Sequence, residues 1–313
     1  MAHGTPETLD QIPEYLRNVV SGRPVPHALI EEIRHRYSLI GKSPLTEITM
    51  AQARLVEREM AAAGLSVPVY VGMRNWRPYI PDVVRQMLAD GVEQAAVICM
   101  APQNSRTSVG LYRRAVEAEA AGLRIDFTEA WARHPLLADA FAERLRPVWS
   151  KLSSEAGAPV PVLFTAHSVP ARTVEAPGAQ DPQGPRLWPG QAADPYADEA
   201  RHTAELVAAR VPEIPRWWFA FQSQGASGGP WIGPRVEETL EEIAAEGFRN
   251  VLLQPIGFLC DHIEILFDVD IAFKEYASKL NVRLERPESL NGSHTLARAV
   301  ADLAVAGLNR LNR

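Results

Sequence analysis

A chain of 313 residues, 46% of them hydrophobic, is long enough to bury one large core or two ordinary ones, and two domains are expected. Its 32 basic and 38 acidic residues leave a formal charge of −6, which excludes a general attraction to nucleic acid or an anionic membrane. The two cysteines, Cys99 and Cys260, lie in apolar runs and exclude a disulfide scaffold or a cysteine-held zinc or iron–sulfur site. With no membrane-spanning run and no secretory leader, the expectation is a soluble protein of the reducing cytoplasm.

Met1-Ala2-His3-Gly4-Thr5-Pro6 reads as the end of a strand and a turn with almost no strand before it, so a truncated first strand is expected. Residues 7–36 have helical periodicity broken at Pro13, Pro24 and Pro26, and a further helix is predicted over 46–63. A short buried strand over 67–72 precedes a helix over 79–90 that stops at Gly91, then a strand over 95–100, a helix over 107–121 and a strand over 123–128. Strands alternating with helices of this length predict parallel β-α-β winding, with ligands bound beyond the carboxyl ends of the strands.

A long helix over 135–155 ends before Gly157-Ala158-Pro159, which divides the chain into domains over 1–156 and 157–290 with a terminal segment over 291–313. The second half repeats the style of the first. A strand over 162–166 delivers His167-Ser168-Val169-Pro170, and 176–195, rich in Pro, Gly, Ala and Gln around Leu187-Trp188, reads as a loop or lid. Then come a helix to about 210, a strand over 217–222, a glycine-rich loop over 225–234, a helix over 235–245, strands over 251–254 and 282–284, and a helix over 295–311.

The stretch QPIGFLCDHIEILFDVDI over 254–271 carries the densest chemistry. If its second part is α-helical, Asp261, Glu264 and Asp268 fall at three- and four-residue steps on one face, and their mutual repulsion calls for a cation or for protons in transit. His167, at a neighbouring strand end, can share their crevice, and imidazole with carboxylate suits Fe²⁺ or Zn²⁺. The bland alternative is a packed histidine and a solvated acidic face, but large aliphatics interleave these acids.

Two motif matches are set aside. Gly225-Ala226-Ser227-Gly228-Gly229 fits a nucleophile elbow with Asp268 and His294 in hydrolase order, yet Pro230-Trp231-Ile232-Gly233-Pro234 keeps a helix from starting where an elbow needs one. His262-Ile263-Glu264 fits half of a zinc-deaminase signature whose cysteine half is absent. Neither a Walker A sequence nor G-x-G-x-x-G occurs, so nucleotide cofactors are unsupported. Trp76, Trp188, Trp231 and Phe258 stand in loops, suited either to core packing or to a large planar ligand.

TAHSVP (165–170), DPY (194–196), FQSQGASGGPWIGP (221–234) and the stretch 254–271 resemble the ferrochelatase family, and AHGTP, RYSLIGKSPLTEIT, YVGMRNWRPYI and the spaced residues of 101–113 agree in the first half. The resemblance spans nearly the whole chain. It implies an α/β fold of two similar Rossmann-like domains with parallel sheets, a porphyrin cleft between them, and a C-terminal helix packed back on the first domain. It also implies Fe²⁺ insertion into protoporphyrin IX or coproporphyrin III, with transient contact with neighbouring heme-pathway enzymes.

By position, His167 and Glu264 match the family's metal-site histidine and glutamate, with Asp268 next in line. Arg36, Tyr37, Ser43 and Tyr112 match porphyrin contacts, and Trp231 is a further candidate in the glycine-rich loop. His3 stands where bacterial coproporphyrin-type members carry a tyrosine, which makes it a candidate for axial contact with product iron. Ala272 stands where the resemblance implies the next acid of the line, so the carboxylate path is shorter, with Asp270 or Glu275 to compensate. Residues 177–193 form a longer segment than the family pattern. No cysteine-rich extension follows, so no iron–sulfur cluster is expected, and no cofactor beyond substrate iron. On these terms His167 takes a pyrrole proton or ligates iron, Glu264 faces the same site, Asp268 aids proton exit or iron entry, and a cleft closing on a distorted ring exposes a nitrogen lone pair. The alternative is a tetrapyrrole- or metal-binding protein without catalysis; a serine hydrolase using Ser227 ranks third.

Overall fold

A computed structural model of the chain describes residues 1–174, 194–224 and 229–313. The helices are α1 (Ile12–Val19), α2 (His27–Ile40), α3 (Leu45–Ala62), α4 (Ile80–Ala89), α5 (Val109–Glu117), α6 (Pro135–Ala156), α7 (Ala171–Val174), α8 (Tyr196–Ala209), α9 (Val236–Ala245), α10 (Lys274–Lys279) and α11 (His294–Leu311). Between them run strands β1 (Gln94–Ile98), β2 (Arg124–Thr128), β3 (Val162–His167), β4 (Trp217–Gln222), β5 (Asn250–Pro255) and β6 (Arg283–Glu285). Glu264–Phe273 is a π-helix that continues into α10.

All strand pairs among the described residues are parallel. β1 and β2 make one pair, and β4-β3-β5-β6 make a four-stranded sheet. Parallel sheets need both faces covered, which explains the uninterrupted apolar runs of β3 and β5. One face of the larger sheet packs with α6, α8 and α11 through Phe141, Leu145, Phe164, Ala204 and Val300. The other packs with α9 and the π-helix through Leu163, Leu240, Leu253, Ile265 and Val269. Phe141 is fully enclosed, so Phe141→Ala is expected to lower the unfolding free energy in denaturant titration by about 3 to 5 kcal/mol. A loss below about 1 kcal/mol would mean that this face is not a closed core.

The predicted strand over 67–72 does not form. That segment has neither helix nor strand structure, and next to it only isolated parallel bridges join Met73 to Ala2 and to Tyr79. The physical reason is the lack of a neighbour: no strand lies against it among the described residues. No helix among the described residues is long and apolar enough to cross a membrane. Cys99 and Cys260 are buried and unpaired with each other.

Candidate active site

Three parallel strands end side by side. β3 and β4 are in register with His167 opposite Gln222, while Thr165 of β3 stands opposite Pro255 of β5. Ser168 N–H donates to Gln222 O at 2.7 Å, and Ile256 N–H donates to Thr165 O at 2.8 Å, so the ladder continues into both exits. His167, Ser223 and the loop after Pro255 thereby meet beyond the carboxyl ends of the strands, where α/β sheets bind ligands.

Gly257 allows the third exit to come close. A Cβ at this position would stand 3.1 Å from Ala166 Cβ and 3.2 Å from Ala166 Cα, the residue that carries His167. Gly257→Ala is therefore expected to push the loop off β3, pull Glu264 away from His167 and lower kcat about tenfold with little loss of stability. Unchanged kcat would show that the loop absorbs the methyl elsewhere.

His167 Nε2 lies 3.5 Å from Glu264 Oε1, and His262 Nε2 lies 3.6 Å from Glu264 Oε2. The other nitrogen of His167, Nδ1, bonds to Ser168 O, which leaves Nε2 to face Glu264. Tyr196 O–H donates to His167 O at 2.8 Å and fixes the backbone beneath the ring. Phe258 and Trp231 flank the imidazole with ring centroids at 6.2 and 6.3 Å. Both members of the pair are only about one-third exposed.

Burial alone lowers the pKa of His167, but the adjacent Glu264 charge and hydrogen bond outweigh it and raise the imidazole above its ordinary value. Burial alone raises Glu264, yet His167 and His262 hold it well below the usual carboxylate range. Each member of the pair thus favours the charged form of the other.

Asp268 follows Glu264 on the π-helix. Its bonding pattern runs from i to i+5, so the wide turn keeps residues four apart near one face. Asp268 Oδ1 meets Arg36 Nη1 at 3.4 Å, and its other oxygen accepts from Ser223 Oγ. Burial first, and the negative Glu264 second, push this carboxyl up to about 6 against the opposing pull of Ser223, Arg36 and His167. Arg36 also lies over the Phe267 ring, 5.0 Å from its centroid.

The expected row of three carboxylates is corrected here. Asp261 lies before the helix and is taken up elsewhere, by Ser289 Oγ and Asn291 Nδ2 at 2.8 Å each and by Arg286 at 3.2 Å. Asp270 does not extend the line either, because Arg286 Nε and Nη2 hold it at 2.8 and 2.6 Å. Glu275 is exposed on α10. The line therefore consists of Glu264 and Asp268.

His3, half-buried, lies next to this group. Its Nε2 lies 2.9 Å from Tyr15 Oη, and Asn75 Nδ2 approaches its ring at 3.0 Å. Burial, then the Arg74 charge, lower its pKa to about 3, so this imidazole is neutral. Glu264, His262 and His167 are close enough to act on it electrostatically. Tyr37 bonds Thr5 through its hydroxyl at 2.8 Å, and burial raises it to about 12. Ser43 is buried with its hydroxyl unpartnered, and Tyr112 is buried with Arg74 over its ring. Trp76 is core, edge-on to Tyr15. Trp188, the 177–193 insertion and Ser227 lie outside the described residues.

Sequence reasoning missed Ser223, Tyr196 as a backbone anchor, Asn75 and Arg74. Each stands inside a motif that was legible as a whole, FQSQG, DPY or MRNW, but only the fold tells which side chain turns inward. Among the described residues no three His, Cys, Asp or Glu side chains are grouped to hold a metal. His167 and Glu264 offer two ligands and leave the other coordination positions open.

The ferrochelatase family model matches residues 1–308. The chain belongs to the ferrochelatase family. A protein named ferrochelatase from Acidobacterium capsulatum is 59% identical over 312 residues, covering 99% of this chain and 94% of that one. A coproporphyrin III ferrochelatase from Mycolicibacterium vanbaalenii is 32% identical over 311 residues, covering 97% of this chain and 87% of that one. The fold is similar to that of SirB from Bacillus subtilis with Fe³⁺, at a TM-score of 0.55 and 14% identity, over 83% of this chain and 90% of that one. As a family member, the chain carries its histidine and glutamate pair at the carboxyl ends of a parallel sheet.

Proposed function

We propose that this chain is a ferrochelatase that inserts Fe²⁺ into a porphyrin with release of two protons, in heme biosynthesis. The observation that carries the site assignment is the His167–Glu264 pair at 3.5 Å, backed by Asp268 and flanked by Phe258 and Trp231. Two pyrrole nitrogens must each lose a proton before all four can bind iron. With Nδ1 committed to Ser168, His167 Nε2 is the atom that accepts a pyrrole proton or holds the incoming iron. Glu264 stabilises the imidazolium so formed, and Asp268, paired with Arg36, takes the proton on toward solvent. Two protein ligands suit a metal that has to leave for the ring nitrogens.

His3 and Tyr37 belong to the same chamber and are proposed porphyrin contacts, with neutral His3 able to face product iron. Arg36 offers positive charge for a porphyrin carboxylate. The site is served by domains over 1–156 and 157–290, with 291–313 bracing the first. The proposed setting is the cytoplasm, without an iron–sulfur cluster and with transient contact with neighbouring heme-pathway enzymes.

Anaerobic supply of Fe²⁺ with protoporphyrin IX and coproporphyrin III in competition tests this function. Conversion of either free base to its iron complex, with kcat/KM naming the preferred ring, is the expected result. Binding of both rings with a shifted Soret band and no metal uptake would instead make the chain a tetrapyrrole carrier.

A further inference from the structure

A fourth strand end reaches the region of the site. β6 pairs in parallel with β5, Leu252 opposite Glu285, so the chain leaves β6 at Arg286 beside the strand whose exit carries Gly257 and Glu264. The Arg286 side chain is only 10% exposed, and a guanidinium so enclosed has to be paired. Its partners lie on either side of Glu264 in sequence. Nε and Nη2 donate to the two oxygens of Asp270, inside the π-helix, at 2.8 and 2.6 Å, and Nη2 also stands 3.2 Å from Oδ1 of Asp261, before that helix. His262, Glu264 and Asp268 all fall between the two carboxylates that this one side chain holds.

The strap continues past Arg286. Asn291 binds Asp261 from both sides, donating from Nδ2 at 2.8 Å and accepting the Asp261 N–H on Oδ1 at 2.9 Å, and its own N–H donates to Leu259 O at 3.0 Å. Gln52 of α3 donates to Asn291 O at 2.9 Å, so the strap is fixed to β5 at one end and to α3 at the other. What it holds is a π-helix, whose i to i+5 bonding is rare and makes a wider turn than the α-helix that follows at Lys274. Tightening to i to i+4 bonding would turn Glu264 about the helix axis relative to Asp270 and swing its carboxylate from its place 3.5 Å from His167.

We propose that Arg286 is a positioning residue for iron insertion: by spanning Asp261 and Asp270 it keeps the π-helix in the register that sets Glu264 against His167. The inference deepens the ferrochelatase reading and rests on it for its kinetic arm. Arg286 acts through the two aspartates and not on the porphyrin. A fork that meets a carboxylate with two parallel bonds fixes direction as well as distance, whereas an ammonium supplies charge without that direction. Neutralising two enclosed acids needs only the charge, and holding a register needs the fork, so Arg286→Lys separates the two roles.

The test compares the unmodified protein with Arg286→Lys, Asp270→Asn and the double variant by steady-state metallation, thermal melting and hydrogen exchange at the amides of residues 269–273. Arg286→Lys is expected to melt close to the unmodified protein, to lose about tenfold or more in kcat at an unchanged porphyrin KM, and to exchange those amides about tenfold or more faster. The double variant is expected to lose no more kcat than Arg286→Lys alone, because both changes break one bridge. Asp270 is the more exposed partner, so Asp270→Asn carries the same kinetic and exchange prediction if the lysine variant melts early. Unchanged kcat and exchange in Arg286→Lys overturn the proposal and reduce Arg286 to a counter-charge. Slower turnover with unchanged exchange, or losses that multiply in the double variant, overturn it as well. If the unmodified protein does not metallate a porphyrin, the ferrochelatase reading fails by itself, and the exchange rates alone decide whether Arg286 holds the π-helix.

Discussion

His167→Ala loses porphyrin metallation by about a hundred- to a thousandfold, because it removes the ring nitrogen that faces Glu264 and can carry a proton. Glu264→Gln is expected to lose a similar amount without changing side-chain shape. The amide cannot balance an imidazolium, so His167 loses the charge that raises its pKa and the pair no longer stores a proton. Both side chains are about one-third exposed, so thermal unfolding should move little. Steady-state metallation beside a melting curve separates the two effects. Full activity in either variant would remove the pair from the mechanism.

Asp268→Asn changes the shape of the pH profile as well as its height. Asp268 titrates at about 6 and accepts protons only as the carboxylate. The rate of the unmodified protein therefore falls as pH drops through about 6, as the carboxyl becomes protonated. In Asp268→Asn that acid limb is lost and the remaining rate is about ten- to a hundredfold lower. Ser223→Ala provides a milder version. Ser223 holds Asp268 down by donating to it, so its removal moves the limb to higher pH. An unchanged limb in Asp268→Asn would assign the titration to another group.

Much of this site was legible before any coordinates. The strand carrying His167 and the stretch carrying Glu264 are long apolar runs ended by polar, glycine-containing turns, and parallel winding brings such ends together. What periodicity could not reveal was helix type. An α-helical step puts Asp261, Glu264 and Asp268 on one face, whereas the π-helix begins at Glu264 and leaves Asp261 to Arg286, Ser289 and Asn291. Arg286 is far from that stretch in sequence and has no motif to announce it, so the fate of Asp261 and Asp270 was invisible. Segment 67–72 shows the reverse case. Its residues suit a strand, but a strand needs a neighbour, and local propensity carries no information on whether one is present.

The most direct measurement of the central claim is proton release during anaerobic mixing of the protein, a porphyrin and Fe²⁺ in weak buffer with an indicator dye. Iron insertion at the His167–Glu264 pair predicts two protons released per porphyrin metallated, at the rate at which the free-base absorption disappears, and neither signal in Glu264→Gln. Porphyrin and iron that bind with no proton release and no loss of the free-base spectrum would contradict it.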